Sequence, residues 1–295
     1  MHVVRTPASA RAIARTLLRP VGFVPTMGAL HRGHRTLVER AQRENASVAV
    51  SIFVNPLQFG PSEDYERYPR EFEKDAALLD ELGVALLYSP SVERMYAPGF
   101  STRVNVGVLA ERFEGAARPG HFDGVATVVA KLLHAIEPTT MYLGQKDAQQ
   151  TAVLRRMIAD LDVPVDVVVC PTTREADGLA LSSRNAYLSA EERAAAPSLH
   201  RALALAAEAL LHGQDPDVTM TRARSVLLPP LAWDYLSVVD VERFEPVRGH
   251  TRPALVIGAA RAGAVRLIDN VSVAGIDERD PLVTPERDRD RLIRA

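Results

Sequence analysis

The chain contains at residues 21–34 the stretch Val21-Gly22-Phe23-Val24-Pro25-Thr26-Met27-Gly28-Ala29-Leu30-His31-Arg32-Gly33-His34. Its apolar start predicts a buried strand, its glycine-bearing centre predicts a turn, and its end predicts the first turn of a helix. A strand that leads through a turn into a helix is the opening unit of a parallel sheet with crossover helices. This stretch therefore decides the fold class.

The pattern repeats over the first two-thirds of the 295 residues. Further β-branched runs predict strands near residues 48–54, 84–88, 140–143 and 165–170. Apolar residues at helical spacing predict helices around residues 37–41, 72–82, 125–133 and 148–161. Strands and helices in alternation indicate an α/β fold, and we expect a Rossmann-like parallel-sheet domain over residues 1–184.

The amino-acid composition of the sequence changes after Tyr187. Ser189 is a suitable N-cap for an Ala/Leu-rich helix that runs toward Gly213, and a second helix is expected near residues 218–228. Strands are predicted near residues 235–239, 254–260 and 265–268, with a tight turn at 261–263. These elements predict a smaller α+β C-terminal lid domain over residues 185–276. Residues 277–295 are dense in charge, and we expect a disordered tail without a catalytic role.

Composition narrows the classes of function. The formal charge is −2, and Lys and Arg are spread along the chain, so no nucleic acid is expected as a partner. The single cysteine, Cys170, lies in an apolar run and is expected to be a buried strand thiol. The N-terminal segment lacks the apolar core of a signal peptide, and no run is long enough to span a membrane, which predicts a cytoplasmic protein with no membrane partner.

The sequence His31-Arg32-Gly33-His34 carries the strongest chemical signal. Two imidazoles three residues apart at a helix start can face the same side, where backbone N–H groups and the helix dipole already favour an anion. Phosphate groups suit such a site. A metal site is the competing chemistry, but a zinc site needs a third and usually a fourth ligand at a recognisable spacing.

Two further polar segments follow predicted strands. Gly144 permits close backbone approach, Lys146 can neutralise phosphate charge, and Asp147 can accept hydrogen bonds from ribose hydroxyls. Residues 174–185 include Ser182, Ser183 and Arg184, whose donors could clamp phosphate oxygens. Taken alone, Lys146 and Asp147 could equally be a solvated helix cap, and residues 174–185 a surface linker.

Six motifs in register resemble the pantothenate synthetase family. They are Pro25-Thr26-Met27-Gly28-Ala29-Leu30-His31-Arg32-Gly33-His34, Phe53-Val54-Asn55-Pro56-Leu57-Gln58-Phe59, Tyr68-Pro69-Arg70, Arg118-Pro119-Gly120-His121-Phe122-Asp123-Gly124-Val125, Gly144-Gln145-Lys146-Asp147 and Ser182-Ser183-Arg184-Asn185. The resemblance implies that D-pantoate and ATP form a pantoyl adenylate, and that β-alanine then displaces AMP to give pantothenate. It also implies Mg²⁺ with the ATP and a homodimer.

The resemblance also implies roles for individual residues. The expected catalytic residues are His31, His34, Lys146, Ser182, Ser183 and Arg184. The expected ATP-binding set adds Met27, Gly144, Asp147 and Thr173, and the expected pantoate-binding residues are Gln58 and Gln150. No metal ligand is assigned.

The chain departs from the family pattern at two places, Gln145 and Lys74, where acidic residues are common. Two alternatives stay open on sequence alone. A nucleotidylyltransferase would use the same histidines with a phosphate as the attacking group, although two amides suited to an acid argue against it. A catalytically silent nucleotide-binding protein would bind ATP without forming AMP.

Overall fold

A six-stranded parallel sheet forms the first half of the computed structural model, which describes residues 1–61, 63–247 and 253–273. Its strands are β1 His2–Val4, β2 Val21–Thr26, β3 Ser47–Ile52, β4 Leu86–Tyr88, β5 Thr140–Gly144 and β6 Asp166–Cys170. Their order across the sheet is β1-β4-β3-β2-β5-β6. Val24, Val50 and Leu87 are fully shielded from solvent, as is typical of strands in parallel sheets.

The order in which the chain adds strands to the sheet reverses beside β2. The chain passes from β2 to β3 and β4 on one side, and then returns to β5 and β6 on the other side. Both β3 and β5 pair with β2 in parallel register. In open α/β sheets, ligands bind at the carboxyl ends of strands at such a reversal. A ligand site is therefore expected at the carboxyl ends of β2 and β5.

Helices connect these strands. They are α1 Pro7–Ala14, α2 Arg32–Glu44, α3 Phe72–Glu81, α4 Val92–Met95, α5 Glu114–Ala117, α6 His121–Ile136 and α7 Ala148–Asp160. Helix α6 is buried along most of its length, which its long apolar sequence requires. The predicted α/β class is confirmed. β1 was not predicted from the sequence, because a three-residue strand is too short to show a period, and α1 was not predicted either.

A three-stranded antiparallel sheet follows, in the order β7-β8-β9. Its strands are Ala232–Asp240, Ala254–Ala262 and Val265–Ser272, and the helices before it are α8 Ala190–Ala195, α9 Pro197–Leu211 and α10 Pro216–Arg224. The turn predicted at residues 261–263 lies slightly later, since Arg261 and Ala262 still pair with β9. Gly263 begins the two-residue connection with φ +54°, a conformation that glycine adopts without strain.

The described residues divide into two units. One contains residues 1–143 and 153–170, and the other contains residues 144–152 together with those described after 170. The second unit thus takes in residues 144–152 and 171–184, which the sequence analysis placed with the first domain. Asn270 explains part of this difference, because its side chain donates hydrogen bonds to the carbonyls of Gln145 and Lys146.

The predicted boundary between residues 184 and 185 stays a prediction, and the predicted tail at 277–295 lies outside the described residues. Among the helices of the described residues, none is both long and apolar enough to cross a membrane.

Candidate functional site

The turn after β2 is held in an unusual backbone conformation by a buried carboxylate. Gly28 has φ +83° and Ala29 has φ +51°, so both lie in the left-handed region. Asp75 of α3, only 2% exposed, accepts hydrogen bonds from the N–H groups of Ala29 and Leu30, each at 2.8 Å. A Cβ at Gly28 would lie 3.0 Å from Asp75 Oδ2. The turn and the carboxylate therefore fit closely.

Burial raises the pKa of Asp75, and the hydrogen bonds from Leu30 and Ala29 oppose that rise. A carboxylate buried in this way is costly unless its hydrogen bonds are made. Asp75 was not singled out from the sequence, where only its neighbour Lys74 marked a departure from the family pattern. Its role depends on a contact between residues more than forty positions apart, which no local pattern reveals.

We expect Asp75→Asn to lower kcat/KM for ATP, the substrate that the resemblance implies, by about tenfold, because the amide nitrogen cannot accept one of the two N–H bonds. The same assay on Glu73→Gln provides the control, since Glu73 is an exposed carboxylate on the same helix. Steady-state kinetics and thermal unfolding on both variants check the prediction. A folded Asp75→Asn protein with the wild-type kcat/KM would contradict it.

His31 and His34 cap the helix that follows the turn. His31 is the N-cap of α2, and its Nδ1 accepts from the N–H of Gly33 at 3.1 Å. The His34 Nδ1 accepts from the N–H of His31 at 3.3 Å, which completes a reciprocal capping box. The ring centroids lie 4.1 Å apart. Because each Nδ1 is an acceptor, the arrangement fits the neutral tautomer with its proton on Nε2, a donor suited to an anionic oxygen.

Gln58 lies in the short 3₁₀ turn Pro56–Gln58 that follows β3. Its side chain is 8% exposed and donates to Met27 Sδ at 3.1 Å. Asn55 donates to Gln58 Oε1 and to the carbonyl of Gly124, both at 3.0 Å, and accepts from the Tyr96 hydroxyl at 2.7 Å. Two predicted ligand residues, Met27 and Gln58, thus contact each other, and a buried amide orients one of them.

The backbone carbonyl of Gln58 is also held by side chains of the Arg118–Val125 motif. Its carbonyl accepts from Arg118 at 3.2 Å and lies 2.8 Å from His121 Nδ1. Arg118 in turn makes two hydrogen bonds to Glu63, at 2.6 and 2.7 Å. Burial alone would raise the pKa of Glu63, but the hydrogen bonds and charge of Arg118 outweigh it and lower that pKa. The Arg118–Val125 motif therefore supports Gln58.

Gly124 of α6 lies directly against this turn. A Cβ at this position would come 2.3 Å from the carbonyl oxygen of Leu57 and 2.7 Å from the nitrogen of Gln58. Both atoms belong to the backbone, so they cannot swing aside as a side chain could. The close approach of α6 to the Gln58 turn thus requires glycine.

We expect Gly124→Ala to destabilise the protein and raise KM for pantoate, the acid that the resemblance assigns to Gln58. Alanine favours a helix by about 1 kcal/mol over glycine, but overpacking typically costs about 1–3 kcal/mol, so the clash decides the sign. Urea unfolding and steady-state kinetics measure the two effects. Gly115→Ala is not a suitable control because its Cβ would also clash, with the carbonyl of Ala110, and Gly144→Ala is unsuitable because Gly144 belongs to the expected ATP-binding set. Gly213→Ala is the control, since a Cβ there would meet no described atom within 4 Å. Because Gly213 has φ +73°, this variant is expected to lose some stability through backbone strain but to keep the wild-type KM. Unchanged unfolding and KM in Gly124→Ala would refute the prediction.

In the second unit, residues 145–147 form a 3₁₀ turn directly after β5 and before α7. The Lys146 Nζ lies 3.4 Å from Asp147 Oδ1, a long contact between two partly exposed side chains. This contact is therefore too long to fix the position of the Lys146 ammonium. Gln145 is 4% exposed, and Gln150 in the first turn of α7 is partly exposed.

The Ser-Ser-Arg segment follows a hairpin. Arg174 pairs with Ala180 in an isolated antiparallel bridge, and the N–H of Leu181 donates to the Thr173 carbonyl at 3.0 Å. Ser182 then caps the 3₁₀ turn Ser183–Tyr187 by accepting from the N–H of Arg184 at 3.3 Å. Arg174 fastens the hairpin to β9 through two hydrogen bonds to the buried Asp269, at 2.6 and 2.9 Å.

Burial by itself would raise the pKa of Asp269, yet His200 and Arg174 lower it. Asp269 and its neighbour Asn270 were not singled out by the sequence analysis. Two adjacent polar residues near the end of an apolar strand were the available signal, because polar groups buried in a strand are normally there to make specific hydrogen bonds.

Each unit thus gathers its own share of the predicted residues. The first contains Met27, His31, His34 and Gln58, and the second contains Gly144, Lys146, Asp147, Gln150, Thr173, Ser182, Ser183 and Arg184. Among the described residues, no group of three or more His, Cys, Asp or Glu side chains is arranged to hold a metal ion. Cys170 is buried, as predicted, and its burial raises the pKa of the thiol to about 11.

Comparison with known proteins identifies the family. The family model for pantoate-beta-alanine ligase matches residues 2–272. Pantothenate synthetase from Chloroflexus aurantiacus is 55% identical over 279 residues, which cover 93% of this chain and 99% of that protein. The pantothenate synthetase from Thermus thermophilus is 53% identical over 276 residues, with 92% and 99% covered.

Solved structures agree with this result. A crystal structure of the Thermus thermophilus enzyme superposes with a TM-score of 0.88 and covers 92% of this chain and 99% of its own. Pantoate-beta-alanine ligase from Francisella tularensis, solved in complex with beta-gamma ATP and beta-alanine, is 33% identical with a TM-score of 0.76, and covers 94% and 99%. The chain therefore belongs to the pantoate-beta-alanine ligase family.

Proposed function

We propose that this chain condenses D-pantoate with β-alanine in an ATP-dependent reaction that yields pantothenate, AMP and pyrophosphate. The observation that carries this proposal is the family match over residues 2–272, because that range includes every residue assigned above to ATP or pantoate. The Francisella tularensis relative was solved with ATP and beta-alanine, which supports two of the three substrates.

In the first step, a carboxylate oxygen of pantoate attacks the α-phosphorus of ATP. The bond from that phosphorus to the bridging oxygen breaks, and pyrophosphate leaves. The products are pantoyl adenylate and pyrophosphate, and no covalent bond to the protein is needed. The task of the protein is to align two anions and to cancel their repulsion, which requires donors and cations and no nucleophile.

The proposed ATP residues suit that task. His31 and His34 present imidazole donors at a helix N-terminus, where the dipole also favours an anion. Lys146, Ser182, Ser183 and Arg184 supply a further set of cations and hydroxyls for phosphate oxygens. Met27, Gly144, Asp147 and Thr173 complete the proposed ATP set, and at Gly144 an added Cβ would meet no described atom within 4 Å.

Pantoate is assigned to Gln58 and Gln150. An amide can donate to a carboxylate with its nitrogen and accept from a hydroxyl with its oxygen, and pantoate carries both groups. Asn55 and the Arg118–His121 pair hold Gln58 from the side chain and from the backbone. Such support limits the motion of an orienting group, which precise alignment of two reactants requires.

In the second step, the neutral amine of β-alanine attacks the acyl carbon of the adenylate. The bond from that carbon to the phosphate oxygen breaks, AMP leaves, and the amine nitrogen loses a proton as the amide forms. No residue of this chain is assigned to β-alanine.

Magnesium enters this proposal as part of the ATP substrate. Mg²⁺ in nucleotide sites is usually held by phosphate oxygens and water with one or two carboxylates, rather than by a cage of protein ligands. It supplies charge neutralisation on the phosphates. A homodimer and a cytoplasmic location stay predictions.

Chromatography of AMP and pantothenate tests the proposal. Purified protein is incubated with ATP, Mg²⁺ and D-pantoate, with and without β-alanine. We expect AMP and pantothenate in equal amounts, with turnover only when β-alanine is present. ATP binding without AMP formation would instead support a silent nucleotide-binding protein, and a dinucleotide-like product with a phosphate substrate would support a nucleotidylyltransferase.

A further inference from the structure

Asn270 of β9 holds the turn that carries Lys146. Its Nδ2 donates to the carbonyl of Gln145 at 2.8 Å and to the carbonyl of Lys146 at 3.0 Å. Asn270 is 3% exposed, its bond to the Gln145 carbonyl is buried, and its bond to the Lys146 carbonyl is partly buried. Both hydrogens of the amide are therefore used, and both acceptors are backbone atoms of the same short turn.

The amide orientation is fixed by this contact. Two carbonyl oxygens face Nδ2, and a reversed amide would place its oxygen against them, so only one orientation is favourable. The next residue back, Asp269, adds rigidity because its Oδ1 accepts from the backbone N–H of Asn270 at 2.8 Å. Asp269 is itself clamped by Arg174, and Arg174 also donates to the Asn270 carbonyl at 3.4 Å.

Within the part of the chain that the structure describes, the Lys146 ammonium contacts Asp147 at 3.4 Å, which is long for a hydrogen bond. A lysine side chain also has four rotatable bonds, which leave the ammonium mobile. The backbone of the turn therefore decides where the ammonium can reach. A shift of about 1 Å in a group that positions a substrate can cost about a hundredfold in rate.

We propose that Asn270 is a positioning residue for adenylation, which acts through the backbone of Gln145 and Lys146 to place the Lys146 ammonium. The proposal rests on the proposed function, in that Lys146 contacts the ATP phosphates. Asn270 acts through the backbone of this turn and does not contact a substrate.

A double-mutant cycle on the first half-reaction tests the proposal. Pantoate-dependent exchange of pyrophosphate into ATP is measured in the wild type, Asn270→Ala, Lys146→Ala and the double variant. We expect Asn270→Ala to lower exchange by about tenfold or more, since two carbonyls of the turn that carries Lys146 lose their donor. In the double variant we expect little loss beyond that of Lys146→Ala, because the two residues act as one unit.

A matched control separates positioning from stability. Leu210 is fully buried in the core of the same unit, so Leu210→Ala lowers stability through a cavity without touching the Lys146 turn. We expect it to keep wild-type exchange below its unfolding temperature. If Asn270→Ala does not fold, Asn270→Thr replaces it, since threonine suits a strand and keeps a single donor.

Multiplicative losses in the double variant would overturn the proposal, as would wild-type exchange in the folded Asn270 variant. An equal loss in Leu210→Ala would do the same. A wild-type protein without any pantoate-dependent exchange would reject the proposed function itself, and that outcome is recognised before any variant is compared.

Discussion

Lys146→Ala is expected to lower pantoate-dependent pyrophosphate exchange by about 100- to 1,000-fold while the protein stays folded. The magnitude follows the loss of one donor aimed at charge that grows in the transition state. Stability should change little, because the side chain is 22% exposed and its contact with Asp147 is 3.4 Å long. The alanine variant removes the ammonium of Lys146 but keeps the backbone carbonyl of residue 146, to which Asn270 donates.

Two further variants sharpen this prediction. Lys74→Ala is the matched control, because Lys74 is an exposed lysine that pairs with Glu71 at 2.8 Å on the surface of the first unit. Its exchange rate should equal that of the wild type. Lys146→Arg keeps the charge with a different shape and should recover part of the activity. Wild-type exchange in a folded Lys146→Ala protein would remove Lys146 from the proposed site.

The sequence predicts strands β2 to β6 because each lies in a short apolar or β-branched run that ends near a turn signal. β2 to β6 lie within a few residues of their predicted positions. The strand order could not be derived from spacing alone, since it depends on which strands pair at long range. The reversal beside β2 is a property of the whole sheet, and it was not predicted from the sequence.

The site could be predicted only in part, because some of its residues are held by long-range contacts. His31 and His34 form a local pattern, and the caps that they make involve residues within four positions. Asp75 and Asn270 instead act on turns about 45 and 125 residues away. Such supports belong to the tertiary structure, and a single sequence shows only that a polar residue occurs there.

The histidine pair allows the cap to be separated from the chemistry. His34 is the third residue of α2, and its Nδ1 accepts from the N–H of the N-cap, His31. Glutamine at this position is a standard partner in a capping box, so it can accept the same N–H bond. When the amide oxygen takes the position of Nδ1 in this bond, the amide nitrogen cannot also take the position of Nε2, because both are attached to the same carbon. The cap is retained in His34→Gln, whereas the distant donor is lost.

We therefore expect His34→Gln to unfold at nearly the wild-type temperature and to lose about 100-fold in pantoate-dependent exchange. His34→Ala should lose the activity and also about 1 kcal/mol of stability, because the cap is gone as well. His212→Ala, at an exposed position near the end of α9, should change neither quantity beyond experimental error. Exchange at the wild-type rate in His34→Gln would mean that His34 serves the helix alone, since only the cap is common to the two side chains.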